Sequence, residues 1–337
     1  MAVQIRKSKI WADSVRQPTP KPIPDPKPET PTFNVLSLFD GMSCGQLAMK
    51  KAGINVDNYF ASEVDEHAIK VTMNNFPETI QMGDVRDLNS TNPIFGGDDT
   101  ILIGGSPCQN FSFAGTNKGM TTKTEIEVTT LDQYLELKND NFDFEGQSYL
   151  FWEYVRILRE LKPKYFLLEN VKMANKWKTL ISDVMGVQPI QINSSLVSGQ
   201  SRERLYWTNI PNVKQPDDRK ILLRDVLQPD SDIDLAKFSL SEKAIDYMGR
   251  DRNGKPRWEY HHNHLDGKAS CLTANMFKGV PYGVIKEYLR RLTPIECERL
   301  QCVPDNYTDC VSNTQRYRMI GNGWTIDVIA HILKGIK

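Results

Sequence analysis

Asn34-Val-Leu-Ser-Leu-Phe-Asp-Gly-Met-Ser-Cys-Gly45 decides the architecture of this chain, because an apolar run breaks into a glycine-bearing turn and then into helical periodicity. Residues 34–39 read as a strand and 46–52 as a helix, and the glycines between them let the backbone approach a ligand closely. Working outward, 59–63 reads as a second strand and 65–76 as a second helix. A third strand ends near Asp84, a fourth covers 101–104, a helix covers 149–161 and a fifth strand covers 165–168. Strands alternating with helices predict a parallel sheet covered on both faces. The runs 190–197 and 204–210 stand too close together for a helical crossover, so they pair antiparallel. The predicted fold class is therefore α/β: a mostly parallel, doubly wound sheet with an antiparallel hairpin at its edge.

Residues 1–32 stand apart as an extended leader, since prolines recur at nearly every second position from 18 to 31 and deny both helix and paired strand. Residues 33–210 carry the sheet. The stretch 211–286 is polar, turn-rich and poor in helical periodicity, and reads as a second, smaller and irregular domain. Residues 287–337 return to the sheet: Thr293-Pro294-Ile295-Glu296 is a capping box with proline at the first helical position, Pro304 ends that helix, and 324–333 is a last helix with one apolar face.

With 42 basic and 42 acidic residues the chain is neutral, so any surface for a polyanion must be local. No apolar stretch has the length of a membrane span, and residues 1–11 lack the apolar core of a signal peptide, which predicts a cytoplasmic protein. The cysteines (Cys44, Cys108, Cys271, Cys297, Cys302, Cys310) have neither C-x-x-C spacing nor the density of a disulfide scaffold. His261, His262 and His264 come without paired cysteines or an H-E-x-x-H arrangement, so no metal site is expected.

Chemistry concentrates where strands end. Pro107-Cys108-Gln109 closes the apolar run of the fourth strand and opens a Gly/Ser/Asn loop, which puts a cysteine at the ligand-binding edge of the sheet, as a candidate nucleophile. Glu169 ends the fifth strand at that same edge. Arg202 and Arg204, two residues apart at the start of a strand, face one side. Asp40, Glu63 and Asp84 end the first three strands; three acids along one edge repel a pyrophosphate and suit a cationic, ribose-bearing ligand such as S-adenosylmethionine.

These residues fall into blocks that resemble the DNA cytosine-5 methyltransferase family, of phage or bacterial type. The blocks are Phe39-Asp-Gly41, Glu63, Gly83-Asp-Val85, Gly105-Ser-Pro-Cys-Gln-Asn-Phe-Ser112, Glu169-Asn-Val171, Gln200-x-Arg202-x-Arg204, Leu292-Thr-Pro-x-Glu-Cys297 and Gly321-Asn-Gly323, in the family's order. The resemblance implies an S-adenosylmethionine-dependent, Rossmann-like fold with 211–286 as target-recognition domain. It implies that Cys108 attacks C6 of a flipped cytosine, that Glu169 holds N3 and the exocyclic amine, that Arg204 contacts O2 and that Arg202 helps position the catalytic loop and the thiolate. Phe39, Asp40, Gly41, Glu63, Val64, Asp84, Val85, Pro107, Asn322 and Trp324 match positions of the cofactor pocket. Gln109, Ser112 and Gln200, with the basic, aromatic stretch containing Arg250, Arg252, Lys255 and Arg257, are the expected contacts to double-stranded DNA. The family more often has Ser after the asparagine of its last block, where Gly323-Trp324 stand here. Residues 121–147 are longer than a connection requires and read as a surface insertion. A monomer is expected, with a cognate restriction system as one setting for it. A transfer-RNA cytosine methyltransferase and a silent DNA-binding scaffold share these blocks; a nicotinamide oxidoreductase does not explain Cys108 or the arginine pair.

Overall fold

The computed structural model describes residues 31–88, 97–111, 119–261 and 263–336. The expectations for residues 1–30 of the leader, for Ser112 and for His262 lie outside them, and Thr32, placed in the leader, is the first residue of the first strand.

The elements run β1 (Thr32–Leu38), α1 (Cys44–Ala52), β2 (Asn55–Ser62), α2 (Glu66–Asn75), β3 (Ile80–Gln81), β4 (Gly97–Gly105), α3 (Leu131–Asn139), α4 (Phe151–Leu161), β5 (Pro163–Val171), α5 (Asn175–Met185), β6 (Ile190–Asn193) and β7 (Glu203–Thr208). After them come α6 (Leu235–Phe238), α7 (Glu242–Gly249), β8 (Asp251–Arg252), β9 (Lys255–Pro256), α8 (Trp258–His261), β10 (Val284–Ile285), β11 (Arg290–Arg291), α9 (Pro294–Leu300), α10 (Asn313–Asn322) and α11 (Ile326–Leu333). Strands one to seven form a single sheet in the order β3-β2-β1-β4-β5-β7-β6. The pairs β1–β2, β1–β4, β2–β3 and β4–β5 are parallel, whereas β7 runs antiparallel to both β5 and β6. The chain is thus α/β with a parallel-dominated sheet and an antiparallel hairpin at one edge, as expected.

Side-chain alternation along the central strands splits the core in two. Val35, Ile101, Ile103 and Leu167 point to one face, where Ala48 and Met49 of α1, Val71 of α2 and the apolar side of α11 cover them. Leu36, Leu102 and Leu168 point to the other, packed against Trp152 and Val155 of α4 and Trp177 and Ile181 of α5. Burial on both faces explains why these strands read as continuous apolar runs.

Six helices were not foreseen: α6, α7 and α8 lie in the stretch read as poor in helical periodicity, and α3, α5 and α10 lie elsewhere. α5 and α10 carry many polar residues, and in α10 the buried Arg316 and Tyr317 are satisfied by Thr308, Glu298 and the Leu292 carbonyl. α3 lies in the expected insertion, but it is not merely attached to the surface. Leu131 and Tyr134 enter the second core, and Glu153 of α4, fully buried, accepts from Tyr134 Oη at 2.5 Å, Lys138 Nζ at 2.6 Å and Arg156 Nε at 2.8 Å. The capping box at α9 is present as read, with Thr293 Oγ1 accepting from Glu296 N and Glu296 Oε2 from Thr293 N.

Between β7 and α9 the chain is irregular, with a small third cluster of Met248, Trp258 and Val284. Lys268 ties this region to the sheet by donating to the carbonyls of Ser195, Ser198 and Ile221.

Candidate active site

The turn after β1 winds through three left-handed residues, Phe39 (φ 57°), Gly41 (φ 59°) and Ser43 (φ 58°). Left-handed backbone at a bulky residue such as Phe39 is uncommon and concentrates at functional sites. The winding aims Gly41 N at the end of β2, where Glu63 Oε2 accepts from it at 2.7 Å while Glu63 Oε1 accepts from Val64 N at 2.8 Å and Asp65 N at 2.9 Å. Glu63 is therefore fixed by three amides and still borders open space. Asp40 behaves differently. Its carboxyl is buried, accepts from Tyr59 Oη at 2.7 Å and from Ser43 Oγ, and its pKa is pushed up to about 6 by burial, against the hydrogen bonds of Ser37, Ser43 and Tyr59.

Parallel β4 and β5 deliver the next groups side by side, with Gly105 in register with Glu169. Asn170 Nδ2 donates to Ser106 O at 3.2 Å and Ser106 Oγ at 3.0 Å, which locks the Pro107-Cys108 turn to β5. Because β7 is antiparallel, its beginning lies where β5 ends. That topology brings Arg202 and Arg204 to the edge that carries Cys108 and Glu169, and Arg204 Nε meets Glu169 Oε1 at 3.0 Å.

Together these groups line one cavity of about 490 Å³. Phe39, Asp40, Gly41, Glu63 and Val64 stand on its wall, as do Pro107, Cys108, Gln109 and Glu169. Arg202, Arg204, Asn322 and Trp324 also line it. A volume of this order suits a small-molecule ligand with room for a base beside it. The donor set fits a cationic nucleoside: fixed acceptors at Glu63, a second acid at Asp40 and the aromatic Phe39.

Several expectations need correction. Asp84 and Val85 do not line the cavity. Asp84 instead accepts from Arg86 N at 2.9 Å and pairs with the Arg86 guanidinium at 2.5 Å, which holds its carboxyl below the usual range, and Val85 is buried in the second core. Gln200 cannot touch DNA, because it is fully buried and its amide bonds Leu300 O at 2.6 Å, Gln301 Oε1 at 2.8 Å and Leu272 N at 3.3 Å. Among the described residues the buried guanidinium of Arg202 donates to the carbonyls of Leu272 (2.8 Å), Gly321 (3.2 Å) and Gly323 (2.9 Å), holding the segment that carries Asn322 and Trp324. The arginines do not lower the Cys108 thiol on balance. Burial and the Glu169 charge raise its pKa more than Arg204 and Arg202 depress it.

Arg250, Arg252, Lys255 and Arg257 lie on or beside the exposed β8–β9 hairpin, and none of them lines the cavity. Arg250 pairs with Asp246 at 2.5 Å, Arg252 Nη1 meets His261 Nε2 at 3.1 Å, and Arg257 lies 4.4 Å from the Tyr247 ring centroid.

Two contributions were not legible in advance. Gln315, Arg318 and Met319 line the cavity from α10, within the two helical turns before Asn322; their i, i+3, i+4 spacing was the available signal. Cys271 places its sulfur 3.4 Å from Arg202 Nη1 and 3.9 Å from Arg204 Nη2, contacts that no spacing in the sequence announces.

Comparison with known proteins agrees with this geometry. Type II methyltransferase M1.ScrFI of Lactococcus lactis subsp. cremoris is 27% identical over 331 residues, covering 89% of this chain and 77% of that protein. Type II methyltransferase M.HhaI of Haemophilus parahaemolyticus is 26% identical over 341 residues, covering 89% and 93%. Among solved structures, a prophage-encoded E. coli protein described as a DNA modification methyltransferase superposes with TM-score 0.62 at 21% identity, covering 90% of this chain and 98% of that one. A mutant of Spodoptera frugiperda DNMT2 superposes with TM-score 0.61 at 20% identity, covering 90% and 99%. At such identities the superpositions establish the fold alone. The sequence profile of the C-5 cytosine-specific DNA methylases matches residues 33–180 and 208–337, taking in both the β1–β5 half with Cys108 and Glu169 and the returning half with Trp324, so the chain belongs to that family.

Proposed function

We propose that this chain methylates C5 of a cytosine flipped out of a short sequence in double-stranded DNA, with Cys108 as covalent nucleophile. The observation that carries the reading is the convergence of Cys108, Glu169 and Arg204 on a cavity that Phe39, Gly41 and Glu63 also line. A thiol and a paired carboxylate together with ribose-type acceptors are what a base and a nucleoside cofactor require of a shared site.

The Cys108 thiol loses its proton to solvent and its sulfur adds to C6 of the base; the C5–C6 double bond breaks, its electron pair moves toward C5 and N3, and N3 takes up a proton. Glu169 stands to accept from the exocyclic amine and from the protonated N3, and so stabilises the enamine that addition creates. Arg204, held to Glu169, offers its remaining N–H groups to O2. Once C5 carries the new methyl group, loss of the C5 proton expels Cys108 and restores the aromatic ring. C6 is inaccessible within a duplex, so the base must leave the stack to reach the cavity. Glu63, Phe39, Gly41, Val64, Asn322 and Trp324 would hold S-adenosylmethionine, which supplies the methyl group when bound. The relatives described as Type II methyltransferases favour DNA as substrate and a restriction-linked setting.

Bisulfite sequencing of DNA from a host without cytosine methylation, expressing this chain or Cys108→Ala, tests the reading. Protection of cytosines in one short context, lost with the variant, is expected. No protection by the folded wild-type protein, with methyl transfer to tRNA instead, would overturn the DNA substrate.

A further inference from the structure

Glu169 is held from two sides. Its Oε1 accepts from Arg204 Nε at 3.0 Å, and its Oε2 accepts from the indole Nε1 of Trp324 at 3.2 Å. A carboxylate has about four lone-pair directions, so one donor on each oxygen leaves capacity on both for a bound base. The two donors also fix the plane of the carboxyl group, whose terminal torsion is otherwise soft.

The indole reaches that oxygen because of a missing side chain and a backbone clamp. Gly105 is in register with Glu169, and a Cβ there would stand 2.9 Å from Trp324 Nε1 and 3.1 Å from Glu169 Oε2. The clamp lies on the residues flanking Trp324. The Gly323 carbonyl accepts from Arg202 Nη2 at 2.9 Å and Gln301 Nε2 at 3.1 Å, and Thr325 Oγ1 donates to Gln301 Oε1 at 2.7 Å. Gln301 is itself fully buried and bonded to Gln200. Arg202 and Gln301, the latter backed by Gln200, thus converge on the backbone that presents one indole N–H.

We propose that Trp324 is a positioning residue for the target base, acting through Glu169: its N–H sets the plane of the carboxylate that receives the cytosine edge, and its place on the cavity wall ties that orientation to the cofactor side of the site. The inference rests on the methyl-transfer reading above.

The test uses the full chain and a duplex with 5-fluorocytosine at the position mapped by bisulfite sequencing, or a tRNA so substituted if tRNA is the acceptor. Fluorine replaces the C5 proton that elimination needs, so the Cys108 adduct persists and its rate of formation is read directly. Trp324→Phe keeps an aromatic ring and loses the donor. Adduct formation should slow about 10-fold to 100-fold, the cost of one hydrogen bond to a charged group, and the loss should persist at saturating S-adenosylmethionine, whose affinity is read separately by calorimetry. Trp324→Leu, lacking the ring as well, should weaken the cofactor too. In a Glu169→Gln background Trp324→Phe should cost little more, because the two act as one unit. A wild-type rate in Trp324→Phe, an equal loss in the Glu169→Gln background, or a loss accounted for by weaker cofactor binding would each overturn the inference while leaving the methyl-transfer reading intact. Absence of any adduct with wild-type protein on either nucleic acid would instead defeat that reading, and this inference with it.

Discussion

Cys108 sits between opposing influences, and their balance sets its pH dependence. Burial and Glu169 hold the thiol above its ordinary pKa despite Arg204 and Arg202. Little thiolate is then present at neutral pH, and its share grows as pH rises. If the thiolate is the attacking form, the single-turnover rate should climb from pH 7 to 8.5 by up to about tenfold per unit; a flat profile would show that the thiol is deprotonated only within the substrate complex. Cys108→Ala should abolish transfer and leave S-adenosylmethionine binding intact, as calorimetry can check. Asp40 acts in the other direction. Its pKa of about 6 means that it loses its charge as pH falls from 7 to 5, so affinity for a cationic cofactor should weaken over that window. The sign for stability is opposite: the fold favours the protonated Asp40, so its contribution is complete below the unfolded value of 3.8 and is lost as pH rises through about 6.

At the scale of elements, β7 matters most to the chemistry. An antiparallel strand between β5 and β6 starts where its parallel neighbours end, which is how two arginines distant in sequence reach Cys108 and Glu169. The turn after β1 performs the matching task on the cofactor side by aiming Gly41 N at Glu63. α3 is tied to α4 by the buried Glu153, whose charge Lys138 and Arg156 neutralise. Tyr134→Phe removes one hydrogen bond from that carboxylate and should lower stability by about 2 kcal/mol in urea unfolding, with methyl transfer per folded molecule unchanged. A loss of transfer larger than the loss of folded protein would show that α3 serves the site directly.

For the whole molecule, a net charge of zero makes DNA binding a local property. The β8–β9 hairpin exposes Arg252 and Lys255 as cross-strand partners. If they neutralise phosphates, Arg252→Ala and Lys255→Ala should each weaken binding and reduce the slope of log affinity against log salt by about one; an unchanged slope would place the DNA elsewhere. The order of βα units, the cysteine and carboxylate at strand ends and the capping box at Thr293 could all be read along the chain, because each depends on local periodicity or on turn chemistry. Gln200 and Arg202 show where such reading stops. A motif match identifies the residue, but its partner decides its task, and the partners Gln301 and the Gly323 carbonyl were fixed only when the chain packed. The same holds for Trp324, an aromatic near the end of the sequence. Its hydrogen bond to Glu169 spans 155 positions and exists because α10 and α11 return to the edge of β4 and β5. Sequence by itself determined the fold class and the inventory of reactive groups, since both follow from short-range pattern; tertiary structure alone decided which groups meet, because charge, burial and hydrogen bonding between distant residues depend on distances that no spacing encodes.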